Sequence, residues 1–205
     1  MKRFEQKYIL DSININNVLR EIHARPSYGS RKINSVYYDT KNLDLYKDSL
    51  EGTVPSKKVR FRWYDNENNF YTNSCDGSIE IKHTFAFHRE KETIKVLDFS
   101  REKVSKECNK YFIKACFPIS QVSFIRQYFE APNDIRITID KSIKFFGLNE
   151  KKHISFSLYP KDVFEIKMPL QNDVSEIQSM LGDKNSRFSK YCLSIEALNK
   201  ESLNT

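Results

Sequence analysis

The stretch KVRFRWY, residues 58–64, alternates polar with large apolar side chains, and the same period of two returns along much of the chain. In an extended strand, successive side chains point to opposite faces. Lys58, Arg60, Arg62 and Tyr64 therefore share one face, and Val59, Phe61 and Trp63 share the other. The pattern recurs in RFEQKYIL, with Arg3, Glu5 and Lys7, and in SIEIKHTF, with Glu80 and Lys82. SFIRQYFE centres Arg126 between Phe124 and Tyr128. DIRITID sets Asp134, Arg136, Thr138 and Asp140 against Ile135, Ile137 and Ile139, and VFEIKMP sets Glu165 and Lys167 against Phe164, Ile166 and Met168. Such a chain folds around antiparallel sheet with its core on one side.

The pattern predicts strands at 2–9, 33–39, 57–65, 69–73, 78–88, 91–97, 121–130, 134–141, 143–147, 153–158 and 162–168. Apolar residues at helical spacing predict helices at 14–24, 43–51, 100–116, 172–181 and 186–202. Ser100 is placed to cap the third helix and Gly182 to end the fourth. Only 5 of 205 residues are glycine, so the turns rely on Asn and Asp, as in DNENN, NSCDG and APND. In SVYYDT, Asp39 and Thr40 turn the chain into the next helix. The fold class expected is α+β, a single domain over 1–205 with many antiparallel strands and a few packing helices.

Alternation alone describes a sheet with one wet face. The choice of residues says more. Arg3, Lys7, Lys58, Arg60, Arg62, Lys82, Arg126, Arg136 and Lys167 occupy strand positions where only Glu5, Glu80 and Glu165 oppose them. If the strands close into a barrel, these side chains converge on one lumen and repel one another unless a polyanion fills it. Arg offers a planar fork matched to phosphate oxygens, and Lys a point charge. Carboxylates among phosphates suit Mg²⁺ or Mn²⁺, hard cations that take one or two carboxylates plus phosphate oxygens. The pattern fits a polyphosphate substrate bound with metal.

The net charge of +7 agrees with an anionic partner without choosing one. The sequence contains no RNP1 motif, KH loop or zinc-knuckle spacing, so nucleic acid is not expected. Cys75, Cys108, Cys116 and Cys192 form no CxxC pair, and no signal peptide precedes them. They read as reduced thiols of a cytoplasmic protein. No apolar run approaches the roughly 18 residues of a membrane helix, so work at a membrane would need a membrane-protein partner. His23, His83, His88 and His153 lie at no ligand spacing. FHREKE, residues 87–92, reads as an exposed hairpin end, and Trp63 as core. The basic residues of 100–116 read as a solvated face, with docking of an acidic partner or membrane as the alternative.

Taken in order, RFEQKY, SVYYDT, KVRFRWY, EIK, SFIRQYFE, RITID, FEIK and RFSKY resemble the triphosphate tunnel metalloenzyme superfamily. Within it they resemble the VTC domain, the polyphosphate polymerase domain of the vacuolar transporter chaperone complex and its small bacterial relatives. The blocks span nearly the whole chain. The resemblance implies an antiparallel β-barrel tunnel that binds a nucleoside triphosphate with Mn²⁺ or Mg²⁺ and passes the γ-phosphoryl of ATP to a growing polyphosphate chain. It implies catalytic roles for Arg60, Arg62, Lys82, Arg126 and Arg136, and phosphate binding by Lys7, Lys58, Lys167 and Lys190. Glu165 becomes the leading metal ligand, with Glu5 and Glu80 as further carboxylates.

The first block reads Arg3, Glu5, Lys7 where the wider superfamily carries ExExK, which favours the VTC branch over the thiamine-triphosphatase and class IV cyclase branch. Phe124 stands where family members often have Tyr, removing a hydroxyl contact there. The SPX domain and membrane helices of the eukaryotic protein have no counterpart in this sequence, so their functions are not carried over. ATP, pyrophosphate and polyphosphate are the partners expected. Two other outcomes stay open: hydrolysis of triphosphate or polyphosphate, if water attacks, and binding of polyphosphate without turnover.

Overall fold

The structure is a computed structural model that describes residues 3–10, 12–64, 70, 76–97, 100–148, 153–169, 175–181 and 188–202. Among these it has nine strands and five helices: β1 (Arg3–Leu10), α1 (Ser12–Glu21), β2 (Arg25–Asp39), α2 (Asp44–Glu51), β3 (Ser56–Trp63), β4 (Gly77–Thr84), β5 (Arg89–Val96), α3 (Arg101–Asn109), β6 (Phe117–Ala131), β7 (Ile135–Leu148), β8 (His153–Leu158), β9 (Asp162–Pro169), α4 (Ser175–Leu181) and α5 (Lys190–Ser202). Hydrogen bonds order the strands β1-β9-β7-β6-β2-β3-β4-β5, with β8 on β7. The α+β class is as expected. Closure into a barrel is not: among the described residues the order ends at β1 and β5 without pairing them.

The chain groups into two compact units. The first comprises Met1–Lys32, Phe124–Ile143 and Tyr159–Phe188. Here β1 pairs antiparallel with β9, and β9 with β7. Alternate residues of these strands (Tyr8, Ile137, Ile139, Phe164, Ile166 and Met168) bury against Ile15 and Val18 of α1 and Leu181 of α4. The intervening positions carry Glu5, Lys7, Arg136, Thr138, Asp140, Glu165 and Lys167. At the β6–β7 turn, Asn133 and Asp134 both adopt left-handed backbone, at φ 62° and 58°. Asn and Asp tolerate that region better than most residues.

The second unit comprises Ile33–Ser123, Lys144–Leu158 and Ser189–Thr205. Its strands β2, β3, β4 and β5 pair antiparallel in sequence order. Val36, Tyr38, Val59, Phe61, Trp63, Ile79 and Ile81 form a core with Phe70, Val104 and Cys108 of α3, and Cys116. Each such fully buried large side chain contributes roughly 1.5–3 kcal/mol of transfer free energy. Trp63 is core, as its place opposite Arg62 implies. The alternation of β3 therefore buries one face and leaves Lys58, Arg60 and Arg62 on the other.

Element bounds depart from expectation where packing overrides pattern. The helix expected over 100–116 stops at Asn109. The Asn109 amide donates to the carbonyls of Ser105 and Cys116 and accepts the Cys116 N–H, so the side chain itself closes the helix. Ser100 does cap its start, accepting the Lys103 N–H. β2 begins eight residues before the expected 33, because Arg25–Lys32 is mostly exposed and lacks apolar alternation. The strands expected at 134–141 and 143–147 are one strand, continuous through Ser142 at φ 51°. The strand expected at 69–73 lies outside the described residues except for buried Phe70, and so do Cys75 and Gly182. The Arg3 side chain is likewise outside them. Cys108, Cys116 and Cys192 are free and buried, and among the described residues no helix is long and apolar enough to cross a membrane.

Candidate functional site

Two clusters of charge arise, one in each unit. In the first unit, the β1–β9–β7 register sets Glu5, Lys167 and Arg136 in one cross-strand row and Lys7, Glu165 and Thr138 in the next. Directly paired residues project to the same side. Glu165 is buried and lies 2.8 Å from Lys167 Nζ. Glu5 forms ion pairs with both lysines, at 3.5 Å from Lys7 and 3.6 Å from Lys167. Burial alone would raise the Glu165 pKa. The charges of Lys7 and Lys167, the Lys167 hydrogen bond and the Arg126 charge outweigh it and hold the carboxyl well below the usual range.

Arg126, on β6, makes a two-pronged ion pair with the buried carboxylate of Asp140 on β7, at 2.6 and 2.8 Å. Burial opposes its charge, but the Asp140 hydrogen bond and charge, helped by Glu165, push its pKa above the ordinary arginine value. Its guanidinium lies 5.4 Å from the centre of the Phe124 ring. Phe124, where family members often have Tyr, thus packs under the arginine. Arg136 is exposed. The Thr138 hydroxyl is buried and has no hydrogen-bond partner among the described residues.

In the second unit the rows are more cationic. Tyr37, Arg60, Glu80 and Thr93 stand in one row, Ser35, Arg62, Ser78 and Lys95 in the next, and Lys58, Lys82 and Lys91 in a third. Glu80 is shared among three cations: Arg60 Nε at 2.7 Å, Lys91 Nζ at 2.8 Å and Arg62 at 3.7 Å. Burial would raise its pKa, but Arg60 and Arg62, with hydrogen bonds from Lys91 and Arg60, bring it down to about 2. Arg62 Nε also donates to Ser35 at 3.1 Å. Lys58 donates to Ser189, whose hydroxyl in turn accepts the Cys192 N–H at the start of α5. Lys190, the first residue of α5, lies close enough for its charge to act on Tyr37.

The expected site residues thus gather as Glu5, Lys7, Arg126, Arg136, Glu165 and Lys167 in the first unit and Lys58, Arg60, Arg62, Glu80, Lys82 and Lys190 in the second. Sequence reasoning passed over Lys91, read as part of an exposed hairpin end, and Tyr37, read as structural. Both lie on the cationic face by register, Lys91 opposite Lys82 and Tyr37 opposite Arg60. Counting alternate positions across neighbouring strands would have found them.

A family model for the VTC domain matches residues 2–199. The chain belongs to the VTC domain family. Solved structures share its fold at low identity. A Pyrococcus horikoshii protein aligns with a TM-score of 0.57 at 15% identity, over 97% of this chain and 100% of that one. An adenylate cyclase candidate from Vibrio parahaemolyticus gives 0.51 at 14%, over 99% and 98%. HpAC1 from Hippeastrum, an adenylyl cyclase candidate reported with a dominant triphosphatase activity, gives 0.50 at 12%, over 96% of each chain. The fold of this VTC domain is that of the triphosphate tunnel proteins. No curated protein matches the sequence.

Whether a divalent cation fits this VTC domain depends on its carboxylates. Among the described residues no three His, Cys, Asp or Glu side chains gather to hold a metal on their own. A hard cation bound through phosphate needs only one or two protein carboxylates. Glu165 and Glu5, both in contact with Lys167, are carboxylates of the first unit that could hold one alongside phosphate oxygens.

Proposed function

We propose that this VTC domain binds triphosphate and polyphosphate and transfers the γ-phosphoryl of ATP to the end of an inorganic polyphosphate chain. The observation that carries this reading is the charge of the second unit's sheet face. Arg60, Arg62, Lys58, Lys82 and Lys91 stand there in adjacent rows around one carboxylate, Glu80. Like charges directly opposite one another, as Lys58, Lys82 and Lys91 are here, repel, and a polyanion lying on the face relieves that repulsion.

Phosphoryl transfer asks a protein mainly for positioning and charge neutralisation. Arg60 and Arg62 present their guanidinium groups to phosphate oxygens, and Glu80 fixes the direction of both. Lys58, Lys82 and Lys190 balance further charge along the chain. In the first unit, Arg126 is locked by Asp140, while Lys7, Lys167 and Arg136 provide cations around Glu165. Glu165 and Glu5 would hold Mn²⁺ or Mg²⁺, which supplies Lewis-acid neutralisation of phosphate charge. A terminal phosphate is already a nucleophile, so no general base is required.

Hydrolysis is the second reading, favoured by the triphosphatase activity reported for HpAC1, which shares the fold. Incubation of the protein with ATP and Mn²⁺, with and without pyrophosphate as primer, decides between them. A ladder of polyphosphate chains that vanishes in Glu165→Ala is the expected result. Free phosphate without a ladder would make the protein a triphosphatase, and polyphosphate binding without turnover would make it a binding module.

A further inference from the structure

We propose that Tyr37 is an internal counter-group to the arginines of the second unit: without a bound anion its hydroxyl accepts a hydrogen bond from Arg60, and when a phosphate chain binds it donates its own proton to a phosphate oxygen, so that chain binding and protonation of Tyr37 are coupled. This inference rests on the reading of the arginine face as a phosphate site.

The strand period places Tyr37 there. On β2, Val36 and Tyr38 enter the core, while Ser35, Tyr37 and Asp39 project with Arg60 and Arg62. Tyr37 is only 6% exposed. Its ring stacks on Tyr191 of α5, with centroids 5.1 Å apart and planes 22° apart. Tyr191 is itself held by a hydrogen bond from its hydroxyl to Asp39 and by the edge of Tyr46, 6.3 Å away. The phenol therefore has little freedom to swing out of the cluster.

Its hydrogen bonding is half used. Arg60 Nη1 donates to the hydroxyl at 3.1 Å, but among the described residues no acceptor takes the Tyr37 proton. A phenol can donate and accept at once, and a buried donor with nothing to bond is costly. The charged and titratable groups around it are Arg60 and Arg62 from β3, Glu80 of β4 in the same row, Lys190 and Tyr191 from α5, and Asp39 on its own strand. Cations dominate its immediate field.

Burial alone would raise the phenol's pKa. The charges of Arg60 and Arg62, the Arg60 hydrogen bond and the Lys190 charge outweigh it, bringing it down to about 8 against an ordinary value of 10.0. Above that pH a phenolate neutralises the arginines. A phosphate chain seeking the same guanidinium groups meets a like charge, and binding then draws a proton from solvent onto Tyr37. The hydroxyl that competed as an anion becomes a donor to the ligand.

The test follows the tyrosinate absorbance of the protein through a pH titration, with and without tripolyphosphate, in wild type and Tyr37→Phe. Phenylalanine keeps the stack on Tyr191. The expected result is one tyrosine titrating near pH 8, absent from Tyr37→Phe, and moved toward about 10 by saturating tripolyphosphate. Over that interval wild type should lose tripolyphosphate affinity by up to about tenfold per pH unit relative to Tyr37→Phe. If tripolyphosphate binds with the same pH dependence in both proteins, the coupling is overturned and the phosphate reading stands. If tripolyphosphate fails to bind while inorganic phosphate alone still moves the titration, the coupling stands and the polyphosphate reading falls. Were Tyr37→Phe not to fold, a wild-type titration unmoved by either anion would still overturn the coupling.

Discussion

The two charged clusters answer the same electrostatic problem in opposite ways. In the first unit, Arg126, Arg136, Lys7 and Lys167 stand among three carboxylates, those of Glu5, Asp140 and Glu165. Cations and anions there nearly balance, and the most buried pair, Arg126 with Asp140, is complete. In the second unit, Glu80 is spread over Arg60, Arg62 and Lys91 while Lys58 and Lys82 stand in the next row. One cluster is held together by its own ions, and the other is short of negative charge. The difference predicts that cutting the buried Arg126–Asp140 pair of the first should act mainly on stability, and substitutions in the second mainly on anion binding.

Removing Arg126 is the strongest way to break this contrast. Arg126→Ala removes both prongs of the ion pair to the Asp140 carboxylate, which is 1% exposed, and a buried ion pair cut in this way costs about 3–5 kcal/mol. Chemical denaturation should show a loss of that order. Next comes Arg60→Ala. Glu80 keeps Arg62 and Lys91, so stability should fall less than in Arg126→Ala. A charged hydrogen bond to phosphate is worth about 1.5–3 kcal/mol, so the tripolyphosphate Kd read by calorimetry should rise roughly 10- to 100-fold. An Arg60→Ala protein with wild-type affinity would contradict the division of labour.

Acid sharpens the comparison further. The Glu80 pKa lies near 2 in the folded protein against 4.5 ordinarily, so the unfolded chain takes up its proton first as pH falls. The stability Glu80 contributes is fully present above about 4.5 and drains away toward about 2. Glu80→Gln should flatten that limb of the stability–pH curve. The smallest effect is expected from Lys114→Ala, which removes an exposed pair with Asp44. It should leave stability close to wild type, since exposed pairs add little, and tripolyphosphate binding unmoved, separating the charge of the β3–β4–β5 face from the charge of the surface at large.

Much of this was legible in the chain before any coordinates. The core face of β3 and the cationic face opposite followed from a period of two, which a half-buried strand enforces residue by residue. The helix after Asp39 and the cap at Ser100 followed from side chains that bond their own backbone. The partners of the charges did not. Nothing local tells Arg126 that Asp140, fourteen residues on, will meet it across β6 and β7, or that Lys91 will reach Glu80, because strand register is a long-range property. Tyr37 was hidden for a related reason. YYDT puts two tyrosines side by side, one for the core and one for the arginines, and only knowing which side of β2 faces Arg60 assigns them. The end of α3 was missed because Asn109 bonds to Cys116, seven residues ahead.

The Asp39 carboxylate has a mechanical meaning beyond its role in the turn. It accepts the amide protons of Thr40, Leu45 and Tyr46 at the start of α2 and the hydroxyl proton of Tyr191 in α5. One buried side chain thereby clamps a strand end and two helices, so the first turn of α2 cannot fray without also loosening its tie to α5. Amide exchange at Leu45 and Tyr46 should then slow and quicken in step with the opening turn of α5, as parts of one cooperative unit, and a substitution at Asp39 should release both helices together.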